Sequence, residues 1–161
     1  MLNKILVSVD GSPLSLRALE FAIDMGKPSG SEIIVLHVTV PLDLSMLHSY
    51  EMDAIDDAML DSIVNNDFKR EEFTTAEQRR VGEFALSMAK KKVAKKDYAK
   101  VSYKEVVHDQ PAKTIVKEAE ELGVDVIVIG YSGLGVLSKA LFGSVSSKVV
   151  AIAKCPVTIV R

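Results

Sequence analysis

Two features of the sequence predict a doubly wound α/β fold on a parallel sheet. Four short runs are rich in β-branched residues and nearly continuous rather than alternating: Ile5–Val9, Ile33–Val38, Val126–Ile129 and Val157–Val160. Strands buried on both faces read this way. Between them lie stretches with apolar residues at helical spacing, so strand and helix alternate along the chain. With 161 residues, 48% hydrophobic and 26% charged, the chain suits one domain with a substantial core. We expect a single domain over residues 1–161.

The first strand runs into Asp10-Gly11-Ser12-Pro13. Ser12 is an expected N-cap, and Pro13 sits where a first helical turn tolerates it. The helix over 14–25 should place Ala18, Phe21, Ala22 and Met25 on one face. The second strand carries His37, which reads as a hydrogen-bonded core histidine rather than a ligand.

The stretch from Pro41 to Lys100 breaks the rhythm, because a simple crossover needs far fewer residues. An insert at about 43–75 precedes the second main helix. Residues 43–72 hold nine acids and two bases, and residues 88–104 hold seven lysines and one acid. Both charge blocks read as solvated faces. Ile55, Met59, Leu60 and Ile63 suit either an inserted helix or a lid. From about Thr75 to Ala94 an amphipathic helix is predicted, with Val81, Phe84, Ala85, Met88 and Lys92 in register.

The run Val101–Val107 is interrupted by Lys104 and Glu105 and reads as an edge strand. A helix over 112–122 follows, with Ile115, Ala119 and Leu122 on one face, Pro111 ahead and Gly123 as its stop. A last helix over 144–154 carries Val145, Val149 and Ile152 before the strand Val157–Val160.

Composition excludes several function classes. A net charge of −2 offers no electrostatic footprint for nucleic acid or an anionic membrane. No apolar run approaches the roughly 20 residues of a membrane span. The N-terminus enters a strand at once, without a signal-peptide pattern. Cys155, the only cysteine, permits no internal disulfide, which fits a reducing compartment. We expect a cytoplasmic protein. Cys155 has no base motif around it and reads as packing. His37, His48 and His108 are too dispersed for a metal site, although His108 falls near the predicted crevice.

In an open parallel sheet, ligands bind beyond the carboxyl ends of the strands, where strand order reverses. In the order 3-2-1-4-5 the first and fourth strands flank that point, so Asp10 and Gly130 would face one crevice. The segment after the fourth strand reads Gly130-Tyr131-Ser132-Gly133, then nine residues, then Gly143-Ser144. Glycines let backbone approach an anion, and a helix N-terminus supplies unpaired N–H donors. Ser144 and Ser146 add hydroxyls. No lysine follows as a Walker loop requires, and the Asp10-Gly11-Ser12-Pro13 turn has too few glycines for the dinucleotide fingerprint.

With Gly-x-x-Gly, nine residues and Gly-Ser at 130–144, the opening Lys4–Ser12, Leu36-His37-Val38 and the ending Cys155–Val160, the chain resembles the universal stress proteins in their UspA-like, ATP-binding class. The resemblance spans almost the whole chain apart from the insert. It implies a five-stranded, Rossmann-like sheet of the adenine nucleotide alpha hydrolase-like kind. It implies an adenine nucleotide, ATP or AMP or ADP, held by Ser8, Val9, Asp10, Val38, Gly130, Gly133, Gly143, Ser144, Val145 and Ser146. Asp10 would recognise the adenosine half and the Val38 backbone the base, with Mg²⁺ riding on the phosphates rather than on protein ligands. It further implies a homodimer paired through Val157–Val160, which suits an apolar edge strand.

The sequence departs from that pattern at Leu134, where many relatives carry a basic residue, and at Tyr131-Ser132, in place of the usual Ser-His or Ser-Arg pair. Lys139 could restore charge. The usual glycine before the third helix is replaced within His108-Asp109-Gln110, where Asp109 could supply a left-handed turn. No general base for phosphoryl transfer is evident, so a ligand or slowly hydrolysed switch in stress response or signalling is expected. Two other readings stay open: an ATP-dependent nucleotidyl or phosphoryl transferase with the insert as a lid, and a dimeric adaptor with a vestigial site.

Overall fold

The computed structural model describes residues 2–40, 75–131 and 145–161, with side chains in the second helix described from Gly82 onward. Five strands form one parallel sheet: β1 (Lys4–Ser8), β2 (Glu32–Thr39), β3 (Val101–Val107), β4 (Val126–Gly130) and β5 (Val157–Val160), in the order β3-β2-β1-β4-β5. Ile5 is level with Ile33 on one side and Val126 on the other, and Ile127 with Val157. Among the described residues the α-helices are α1 (Pro13–Gly26), α2 (Thr75–Lys96), α3 (Pro111–Leu122) and α4 (Val145–Ile152). The predicted insert at 43–75, apart from Thr75, lies outside the described residues.

Alternation along the strands divides the core into two layers. On one face Ile5, Val7, Ile33, Val35, Val126 and Val128 pack with Leu16, Leu19, Ile23, Ala89 and Val93 of α1 and α2. On the other, Leu6, Ile34, Leu36, Ile127 and Ile129 pack with Ile115, Ala119 and Val149 of α3 and α4. β1, β2 and β4 are covered on both sides, which is why their sequences run apolar without a break. β3 is an edge strand, with Lys104 and Glu105 exposed as expected.

Two of the expected helix faces are rotated. Phe21 is 44% exposed and Phe84 is 60% exposed, so neither aromatic ring belongs to the core. α1 is pressed on two sides, by the sheet and by α2, and its buried stripe is Leu16, Ala18, Leu19, Ala22 and Ile23. In α2 the inward positions are Ala85, Ala89 and Val93. The small alanines let α2 approach the sheet closely, and that selects the face over the larger Phe84. Part of the lysine block ties α2 to α1, through Lys92–Glu20 at 3.0 Å and Lys96–Asp24 at 2.7 Å. Ile152, expected on the inner face of α4, is 44% exposed.

Caps follow the sequence. Ser12 Oγ accepts the Ser15 N–H at 3.2 Å at the start of α1, and Gly123 ends α3 in the left-handed region at φ 62°. The turn before α3 needs no left-handed residue. Asp109 is not at positive φ, and Gln110 enters the helix at φ −120°, ψ 75°.

Candidate functional site

β1 has β2 on one side and β4 on the other, so successive crossovers leave in opposite directions, and the carboxyl ends of β1 and β4 are where an open sheet of this kind takes a ligand. The turn after β1 lies at that edge. Gly11 holds φ +83°, a conformation that favours glycine. The Asp10 Oδ1 atom accepts the Ser12 N–H at 2.9 Å, a side-chain-closed turn of the kind Asp supports. Asp10 is exposed, and its backbone N–H donates to Ser15 Oγ at 3.2 Å.

Ser15, only 4% exposed, was not singled out from the sequence, yet it joins the two sides of this edge. Its hydroxyl accepts from Asp10 and donates to the Ser12 carbonyl at 3.0 Å. Its backbone abuts β4: a Cβ on Gly130 would lie 3.0 Å from Leu14 C and O and 3.1 Å from Ser15 N. The glycine at 130 therefore admits the first turn of α1 against the end of β4. In sequence it reads as room for an anion; in the structure that room is filled by helix backbone.

The start of α4 reaches the same place. Ser146 is buried, and its Oγ donates to the Tyr131 carbonyl at 2.7 Å. Val145 is half-buried at the first position of the helix. Tyr131 N–H continues the sheet by donating to the Val160 carbonyl at 2.8 Å. The Arg161 guanidinium lies 4.6 Å from the centre of the Tyr131 ring, a cation–π distance. Sequence reasoning missed this cation, because no local pattern signals a contact between residues thirty positions apart. Ser8 ends β1, level with Leu36 and Ile129, and Val9 follows just beyond it; Val38 is half-buried near the end of β2. The structure thus gathers Ser8, Val9, Asp10, Gly130, Val145 and Ser146 around one edge, with Val38 on the adjoining strand. Gly133, Gly143 and Ser144, with Leu134 and Lys139, lie outside the described residues.

α2 covers the β1 turn from the other side. A Cβ on Gly11 would stand 3.4 Å from Ala85 Cα and 3.6 Å from Phe84 Cδ1. Gly82 packs directly against the Glu105 carboxylate, which also accepts from Thr39 Oγ1 at 2.8 Å. His37 is buried with Nδ1 2.7 Å from the Val9 carbonyl. His108 stands apart at the edge, beyond β3, where its backbone N–H donates to the Thr39 carbonyl and its Nδ1 is 2.9 Å from Asp109 Oδ1. β2 separates it from Asp10. Burial pushes the Cys155 thiol above its ordinary range, which suits packing rather than nucleophilic attack.

Among the described residues, no group of three His, Cys, Asp or Glu side chains could hold a metal ion, and no helix is long and apolar enough to cross a membrane. A shallow depression of about 460 Å³ lies at the opposite, amino end of the sheet, lined by Asn3, Gly30, Glu32, Lys100 and Ser102 among others. It is open and away from the strand-order reversal, so the carboxyl edge remains the candidate site.

The model of the universal stress protein family matches residues 1–161. The chain belongs to that family. It is similar to universal stress protein YxiE of Bacillus subtilis, 34% identical over 162 aligned positions that cover 100% of both chains. Among solved structures it resembles a universal stress protein in complex with cAMP, with a TM-score of 0.68 and 22% identity over 99% of this chain and 97% of that one. It also resembles the Archaeoglobus fulgidus universal stress protein in complex with dAMP, with a TM-score of 0.56 and 20% identity over 100% and 98% of the two chains. At such identities the likeness to these structures speaks for the fold alone. Universal stress protein membership agrees with the β3-β2-β1-β4-β5 sheet and with the family resemblance carried by the sequence motifs.

Proposed function

We propose that this universal stress protein binds an adenine nucleotide at the carboxyl edge of β1 and β4, as a ligand or switch in stress response or signalling. The observation that carries the reading is the meeting of three elements at one point. The Asp10–Ser12 turn, the first turn of α1 against Gly130, and the first turn of α4 tied to Tyr131 through Ser146 all face that edge. Two solved relatives of the same fold hold adenine nucleotides, cAMP and dAMP, which supports the ligand class.

The donor set suits the adenosine half. The exposed Asp10 carboxylate accepts hydrogen bonds from hydroxyl or amino groups, and Ser8, Val9 and Val38 offer backbone groups beside it. The phosphate half falls to Gly133, Gly143, Ser144, Val145 and Ser146, with Mg²⁺ held through the phosphates. The nucleotide would supply charge and, as ATP or ADP, a hydrolysable anhydride; the chain itself binds and orients. One carboxylate oxygen of Asp10 is engaged by Ser12 N–H, which favours a recognition role over that of a base. We further propose one domain over 1–161, a cytoplasmic location, and a homodimer through β5, whose Ile159 is exposed together with Val150 and Ile152 of α4. Pairing removes an apolar edge.

Native mass spectrometry of the purified protein, with thermal shift against ATP, ADP and AMP with and without Mg²⁺, tests the reading. Co-purified adenine nucleotide or a saturable stabilisation is expected. Neither signal at millimolar nucleotide would favour the adaptor with a vestigial site.

A further inference from the structure

His37 is 4% exposed, and its two ring nitrogens have unlike surroundings. Nδ1 lies 2.7 Å from the Val9 carbonyl oxygen. A carbonyl only accepts, so Nδ1 carries the proton in that bond. Nε2 is then a bare acceptor, buried without a partner among the described residues. A leucine or phenylalanine would fill the space without stranding an acceptor. What the imidazole adds is the bond to Val9.

That carbonyl holds a particular place in the sheet. On the β1–β2 ladder Glu32 N–H donates to the Asn3 carbonyl at 2.7 Å, and Val9 N–H donates to the Leu36 carbonyl at 2.9 Å. The same register carried forward, from 32 to 38 and from 3 to 9, directs Val38 N–H at the Val9 carbonyl. His37 Nδ1 is bonded to that acceptor. Val9 also precedes Asp10, so whatever fixes its carbonyl sets the start of the Asp10–Ser12 turn.

Resting on the nucleotide reading, we propose that His37 is a positioning residue: the β1–β2 pairing ends at Ser8–Leu36, and by aiming the Val9 carbonyl at its own ring N–H His37 turns that oxygen away from the Val38 amide, which stays out of the ladder and available to the base. A backbone N–H at the end of β2 suits a ring nitrogen of a purine, which accepts. With an apolar residue at 37 the ladder gains its next rung, and the Val38 donor turns into the sheet. The imidazole thus exchanges one backbone rung for a free donor at this edge.

Three variants separate this role from simple core filling. His37→Asn places a side-chain amide nitrogen near the position of Nδ1 and keeps the bond. His37→Phe and His37→Gln do not, the first lacking a donor and the second carrying its amide out toward the Nε2 position. Backbone amide exchange is followed by NMR in the ligand-free proteins, and AMP affinity by titration. In wild type and His37→Asn the Val38 amide should exchange freely. In His37→Phe it should slow by about fivefold or more as the rung forms. AMP affinity should fall by about fivefold to tenfold in His37→Phe and stay near wild type in His37→Asn. Loss of core packing alone would speed exchange, not slow it at one residue. Should His37→Phe fail to fold, His37→Gln carries the same comparison. Equal Val38 exchange in all four proteins overturns the proposal whether or not AMP binds. Wild type that ignores AMP defeats the nucleotide reading, while the exchange data still decide the role of His37.

Discussion

Replacing Gly130 by alanine isolates the contact of α1 with the end of β4. Gly130 is not at positive φ, so alanine meets no backbone strain there. Its methyl would meet three main-chain atoms, Leu14 C and O at 3.0 Å and Ser15 N at 3.1 Å. Main-chain atoms cannot rotate aside as a side chain can. Either α1 or the end of β4 must move by a few tenths of an ångström, and Ser15 carries that movement to Asp10 through its 3.2 Å bond. Overpacking of this kind costs about 1–3 kcal/mol. Alanine also lowers the entropy of the unfolded chain, which returns about 0.4–1 kcal/mol. The net expectation is a loss of about 1–2 kcal/mol, read as a fall of roughly 2–8 °C in Tm. Urea denaturation with an unchanged m-value gives the free energy directly. A variant as stable as wild type, or more so, would refute the close approach of α1 to β4.

Two further outcomes test other parts of the fold. At Gly123 the reasoning reverses: a Cβ there would have nothing within 4 Å, but φ is +62°, so Gly123→Ala should cost about 1 kcal/mol through backbone strain alone, and Gly123→Asn should recover most of it, as measured by urea midpoint. Asp125 accepts backbone N–H bonds from Lys4 at 2.9 Å and Asn3 at 2.6 Å, and these hold its carboxyl below the ordinary range. A depressed folded pKa means stability that is present above the unfolded pKa, about 4, and lost as pH falls through the lower folded value; Asp125→Asn should therefore be less stable than wild type near neutrality, and the gap should close on acidification. A gap that is constant with pH would contradict this assignment.

Much of the fold was legible because parallel strands buried on both faces leave unbroken apolar runs, and β1, β2 and β4 are covered on both sides. The edge position of β3 was legible from Lys104 and Glu105 for the same reason, inverted. Phe21 and Phe84 misled because periodicity marks a stripe and not its partner. The packing of α1 between sheet and helix, and the alanine face of α2, are set by neighbours distant in sequence. At the candidate site the turn chemistry of Asp10, Gly11 and Ser12 was readable, being local. Ser15 was not, because its part depends on Gly130 arriving from 115 positions away, and Arg161 escaped notice for a like reason. Burial of His37 followed from its strand, but its bond to Val9 depends on the register between β1 and β2.

Amide chemical-shift mapping during titration with AMP, and with ATP and Mg²⁺, tests the nucleotide site most directly. Saturable shifts are predicted at Val9–Ser12, Val38, Gly130–Tyr131 and Val145–Ser146, and Asp10→Ala should weaken them about tenfold. Shifts confined to the depression at Asn3, Gly30 and Lys100, or none at millimolar nucleotide, would contradict it.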